Sequence, residues 1–84
     1  MYECDLRTLR YRLDVTQAQM AQAMGLPLRT YEDLEGGRSV VRPVHWRASY
    51  MAAITLAYDL GKPEALPPDL ADLVRSTAAK FDRA

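Results

Sequence analysis

Glycine and proline interrupt this chain in only three places, and that spacing decides most of what it can fold into. The clusters are Gly25 with Pro27, Gly36 and Gly37 with Pro43, and Gly61 with Pro63, Pro67 and Pro68. Between them lie segments rich in Ala, Leu, Arg and Gln, residues that enter a helix at little cost. No stretch alternates apolar and polar residues long enough to propose a strand. The expected fold class is all-α, with five helices. At 84 residues the chain has room for one small domain, and a chain that size buries only about 60% of its unfolded surface.

The apolar spacing places the helices. Leu6, Leu9 and Leu13 share one face of a first helix. Thr16-Gln17-Ala18-Gln19 follows as a capping-box pattern, in which Thr16 accepts from the Gln19 amide and the Gln19 side chain reaches back. Val15 and Met20 stand at the positions of a hydrophobic staple. A second helix is expected over 17–24, with Met20, Ala21 and Met24 inward and Gly25 ending it. A third covers 28–35, with Tyr31 and Leu34 inward. Pro43 suits the first position of a fourth, which runs to Leu60 with Trp46, Tyr50, Ala53, Ile54 and Ala57 as its apolar stripe and Tyr58 at the edge. A fifth, over 69–82, shows Leu70, Leu73, Val74, Thr77 and Phe81 on one side.

Charge matters by location. Lys plus Arg and Asp plus Glu both number 11, so the formal sum is zero. Residues 7–47, however, carry Arg7, Arg10, Arg12, Arg29, Arg38, Arg42 and Arg47 against Asp14, Glu32, Asp33 and Glu35, a local excess of +3. Arginine suits bidentate contact with phosphate and base edges, although solvated helix surface is an equal use for it at this point. The single cysteine, Cys4, fits a reducing compartment. The longest uncharged run, 48–58, is 11 residues, short of a bilayer span. No signal peptide is visible, and a cytoplasmic location without membrane association is expected.

A helix, a three-residue glycine-containing turn and a short second helix make the pattern of a helix-turn-helix. Thr16-Gln17-x-x-Met20-Ala21-x-x-Met24-Gly25-Leu26-x-x-Arg29-Thr30-Tyr31-x-x-Leu34-Glu35-x-Gly37 resembles the Cro/CI-like (Xre) family of bacterial and phage regulators, over about residues 5–60. The small Ala21 suits the crossing of the two helices, and Gly25 supplies the positive φ of the turn. The resemblance implies a five-helix lambda-repressor-like fold, a DNA-binding core over 1–61 and a C-terminal linker and helix over 62–84. It also pairs Arg10 with Glu35 as a partly buried structural salt bridge.

In that family the helix over 28–35 lies in the major groove of double-stranded DNA. The resemblance makes Leu28, Arg29 and Asp33 the base-reading residues. Arg29 can donate twice to a guanine, Leu28 can pack on a thymine methyl, and Asp33 can accept from a cytosine; Asp33 can equally hold Arg29 in position. Gln17 and Thr30 match positions that bind backbone oxygens. Arg38, Ser39, Arg42 and the first amides of the fourth helix, near Val44 and His45, form a second phosphate clamp. The sequence departs from the family at Pro27, where a capping Ser or Thr is usual, and at Gly36, where Asn is common. Glu32 and Asp33 add negative charge to the DNA-facing helix, which suits a specific reader better than a general DNA coater.

No enzyme is expected. Cys4 and His45 are single and far apart, and no glycine-rich phosphate loop, metal-ligand spacing or paired carboxylates appear. Neither a cofactor, a metal nor a small-molecule ligand is expected. The function implied is a sequence-specific transcriptional regulator, an autoregulating repressor or repressor/activator of a phage or mobile element, bound to an inverted-repeat operator. The alternative is an antitoxin that binds a toxin and represses its own operon. The apolar face of the fifth helix, with Leu70, Leu73, Val74 and Phe81, needs a cover. Homodimerisation provides one, and folding back on its own core provides another.

Overall fold

The computed structural model describes residues 5–82, and among them every regular element is helical. These are α1 (Leu6–Leu13), α2 (Gln17–Met24), α3 (Leu28–Glu35), α4 (Pro43–Leu60), a single 3-10 turn (Pro63–Ala65) and α5 (Pro68–Phe81). The boundaries of α2, α3 and α4 fall where the punctuation puts them, and α5 starts one residue earlier, with Pro68 in its first turn.

Local chemistry closes several helix ends. Asp5 accepts from the Thr8 amide at 2.7 Å, and that contact holds its carboxyl below the ordinary range. Thr16 accepts from the Gln19 amide at 3.1 Å, and the Gln19 side chain accepts from the Thr16 amide at 2.8 Å. The capping box is complete, and the staple residues Val15 and Met20 are both buried. Gly25 ends α2 at φ 78°, where a β-carbon would be strained. Asp14 ends α1 at φ 57°, a left-handed position that Asp tolerates better than most residues.

One core joins all five helices. Leu6, Leu9 and Leu13 of α1 meet Met20, Ala21 and Met24 of α2, Tyr31 and Leu34 of α3, and Leu70 of α5. The expected stripe of α4 lies in or against the core, with small residues the most deeply buried. The buried residues of the helix are Ser49, Ala52, Ala53 and Ala57, whereas Trp46, Tyr50 and Ile54 are half-buried and Tyr58 is exposed. The small side chains let the α4 backbone approach α1 and α2 closely, and the bulky ones pack around its flanks. Buried Ser49 donates back to the Trp46 carbonyl at 2.7 Å, so its hydroxyl costs nothing unpaired.

The start of α5 is tied down and its end is not. Arg12 of α1 donates to the carbonyls of Ala65 and Leu66 at 2.9 and 3.0 Å. The Tyr50 hydroxyl meets the Asp69 carboxylate at 3.1 Å. Leu70 is 3% exposed and Val74 half-buried, but Leu73, Thr77 and Phe81 are exposed. Leu70 therefore belongs to the core of its own chain and is not available to a partner, which corrects its assignment to a dimerisation face. The radius of gyration, 13.2 Å, exceeds the roughly 12 Å of a compact chain this long, in keeping with the overhanging helix.

The close approach of α4 makes a test. Ala53→Leu should destabilise the fold by about 1–3 kcal/mol through overpacking, measured by urea denaturation. An unchanged midpoint would mean that α4 has room to spare at this site.

Candidate nucleic-acid interface

The C-terminal end of α3 carries a buried carboxylate that three helices serve. Glu35 Oε1 accepts from Arg10 Nε at 2.8 Å and from the Tyr31 hydroxyl at 3.3 Å. Its other oxygen accepts from the Gln17 side-chain amide. The Glu35 and Arg10 side chains are 1% and 14% exposed, and Arg10 also donates to the Val15 carbonyl at 3.1 Å. Burial alone would raise the Glu35 carboxyl, but the hydrogen bonds from Arg10 and Gln17 outweigh it and hold the group below its ordinary value. The same contact with Glu35 raises Arg10 further, and burial pushes the Tyr31 hydroxyl well above the usual phenol range. The expected Arg10–Glu35 pair is present.

This cluster fixes the outward face of α3. Because Tyr31 and Leu34 point into the core, Leu28, Arg29 and Thr30 stand exposed and Glu32 and Asp33 are half-exposed. The Arg29 side chain is 85% exposed, with Nε 3.7 Å from Asp33 Oδ1. Asp33 is engaged more closely by Arg38, whose Nε donates to Oδ1 at 2.8 Å. Its main-chain carbonyl also accepts from the amides of Arg38 and Ser39. Asp33 thus accepts a hydrogen bond from Arg38 and lies within ion-pair distance of Arg29.

Arg38 lies back across the end of α3, donating also to the Glu32 carbonyl at 3.2 Å. Gly36 makes this possible. Its φ is −80°, so it needs no special conformation; it needs space, because a β-carbon there would sit 2.9 Å from Arg38 Nη1 and 3.0 Å from the Glu32 carbonyl. Pro27 offers no side-chain cap, and α3 begins without one.

Arg7, Gln17, Arg29, Glu32, Gly36 and Arg38 line an open cleft of about 390 Å³ beside α3. Arg7 was not singled out by the motif. Its signal was the spacing Arg7–Arg10, three residues apart on α1, which puts it on the side from which Arg10 reaches Glu35. Both expected backbone residues line the cleft: Gln17 donates from its amide to Glu35, and Arg38 donates to Asp33 and the Glu32 carbonyl while its side chain stays 63% exposed. Arg12 serves the 3-10 turn, not a surface.

The second expected clamp is at the start of α4. Ser39, Arg42 and Val44 are exposed, and His45 is half-exposed. The His45 ring accepts the Arg42 amide at Nδ1, 3.0 Å away, and so closes the start of α4. These residues, with Leu28 and Thr30, lie outside the lining of the cleft. No group of three or more potential metal ligands occurs among the described residues, and no helix there is long and apolar enough to cross a membrane.

Glu35→Ala should destabilise the protein by about 3–5 kcal/mol, because it leaves Arg10 without its buried partner. The pair also sets an acid limit. A carboxyl held below its ordinary 4.5 binds fewer protons than the unfolded chain does, so its stabilisation is complete above about pH 6. That stabilisation is lost as the pH falls through the ordinary value and then the folded one. Glu35→Gln should flatten this decline in thermal melts between about pH 6 and 3. Parallel declines in both proteins would assign the acid sensitivity to other carboxylates.

Compared with family models, curated proteins and solved structures, the chain matches none.

Proposed function

We propose that this protein is a sequence-specific, duplex-DNA-binding transcriptional regulator that reads an inverted-repeat operator through the outward face of α3. The observation that carries the reading is Arg29. It projects from the first turn of an eight-residue helix whose other side is locked into the core, beside a cleft lined by Arg7 and Arg38. A helix held rigidly from behind, with an arginine aimed outward, suits insertion into a major groove and a bidentate contact with guanine. The α2–α3 pair and its glycine turn support the same reading, since they have the dimensions of a helix-turn-helix.

The roles divide by chemistry. Arg29 and Leu28 read bases, and Asp33 is a positioning residue that keeps Arg29 and Arg38 in place. Arg7 and Arg42 neutralise phosphates, and Thr30 and the first amides of α4 donate hydrogen bonds to them. An autoregulating repressor acting as a pair of copies is the simplest form of such a protein, because a single short helix makes few base contacts.

Selection of bound fragments from a random duplex pool tests the reading, with a two-fold symmetric site as the expected product. Binding equally weak on all duplexes would overturn it. Arg29→Ala should cost roughly 1–3 kcal/mol on the selected site and relax preference at one base pair per half-site. Arg7→Ala and Arg42→Ala should weaken all duplexes alike and reduce the salt dependence by about one phosphate contact each. If Arg29→Ala behaves as they do, the base-reading role is misassigned.

A further inference from the structure

The outward side of α3 carries two rows of side chains, because residues four apart stand one above the other on a helix. In one row the Asp33 carboxylate accepts from Arg38 and lies 3.7 Å from the exposed Arg29. In the other, Leu28 is 44% exposed and Glu32 is half-exposed in the lining of the cleft. The Glu32 carboxylate takes no hydrogen bond and no ion pair among the described residues, although Arg7, Arg29 and Arg38 border the same cleft. A carboxylate that enters a groove loses its water, which is costly unless a donor replaces it. The major groove of DNA offers two such donors, the amino groups of cytosine and adenine.

Given the DNA-binding reading of α3, on which this rests, we propose that Leu28 and Glu32 together read one 5-methylcytosine, with Arg29 on a guanine beside it. Methylation of the DNA then strengthens binding. The choice of base follows from having an apolar group and an acceptor in one row. On 5-methylcytosine the methyl and the amino group sit on adjacent ring carbons, so one base edge meets both side chains. Leu28, the first residue of α3, stands nearer to the bases, and the longer glutamate side chain reaches them from the next turn. Unmethylated cytosine satisfies Glu32 and leaves Leu28 without its contact. Thymine has the methyl, but its O4 is an acceptor and would face the carboxylate. Adenine has the amino group without the methyl, and the methyl of its paired thymine lies beyond that same O4.

Selection from a random duplex pool made with 5-methylcytosine in place of cytosine should return a site with that base next to a guanine. On this site 5-methylcytosine should bind about fourfold tighter than cytosine, the worth of one buried methyl. It should bind roughly tenfold tighter than thymine. These comparisons change the base and keep the protein unaltered, so they do not depend on any variant folding. Leu28→Ala should remove the gain from the methyl and keep the preference for cytosine over thymine. Glu32→Gln, whose amide can donate to O4, should keep the gain from the methyl and lose most of the discrimination against thymine. A selected site that takes cytosine and 5-methylcytosine alike, or thymine as well as either, overturns the proposal and leaves the DNA-binding reading standing. So do two variants that weaken all duplexes equally. Binding equally weak on every duplex overturns both.

Discussion

The arrangement of this small domain depends on one carboxylate. Glu35 is buried at the end of α3, and a buried charge is tolerable only if its oxygens are filled. The donors come from three helices: Arg10 from α1, Gln17 from α2 and Tyr31 from within α3. None of the three helices can shift without breaking one of those bonds, and Arg10 adds a further tie to the Val15 carbonyl in the α1–α2 connection. The carboxylate thus does in polar chemistry what a larger hydrophobic core would do by packing. For a chain with limited interior volume, that is an effective way to fix orientation.

Fixing α3 from behind has a consequence in front. An eight-residue helix alone is too short to be stable in water. Here Tyr31 and Leu34 anchor one side, and Glu35 locks the last turn, so the opposite side keeps a defined set of exposed residues. The small inward face of α4 contributes in the same direction. Ala52, Ala53 and Ala57 let an 18-residue helix lie close under α1 and α2, supporting both without demanding volume. The bulk that α4 does carry is displaced to its flanks and to its outer surface.

Much of this was legible in the sequence, for identifiable reasons. Helix ends at Thr16, Gly25, Pro43 and Gly61 follow from backbone constraints local to a few residues, and local constraints survive folding. The Arg10–Glu35 pair was legible only through resemblance, since 25 residues separate the partners. All five residues of the expected α4 stripe lie in or against the core, and what hydrophobicity did not reveal is that Ser49 and Ala52 are buried with them, because close helix packing selects small residues. The bonds from Gln17 to Glu35 and from Arg38 to Asp33 were not legible, because nothing in their own neighbourhoods in the sequence pairs these residues. Arg7 was overlooked because it lies outside the motif, although the fold brings it to the same cleft.

The arginines show why a count of charge is a poor guide to a binding surface. Of the seven between residues 7 and 47, Arg10 is consumed by Glu35, Arg12 by the carbonyls of Ala65 and Leu66, and Arg38 largely by Asp33 and the end of α3. The acidic residues on α3 are their counterparts. Asp33, half-exposed, takes Arg38 at 2.8 Å and lies 3.7 Å from Arg29, so its negative charge is spent on arranging cations beside it. Gly36 leaves Arg38 room to lie back on α3, and the Asp33 carboxylate sits between Arg38 and the exposed Arg29. A glycine, an aspartate and two arginines thereby share one corner of α3, where the acidic charge offsets part of the cationic charge beside it.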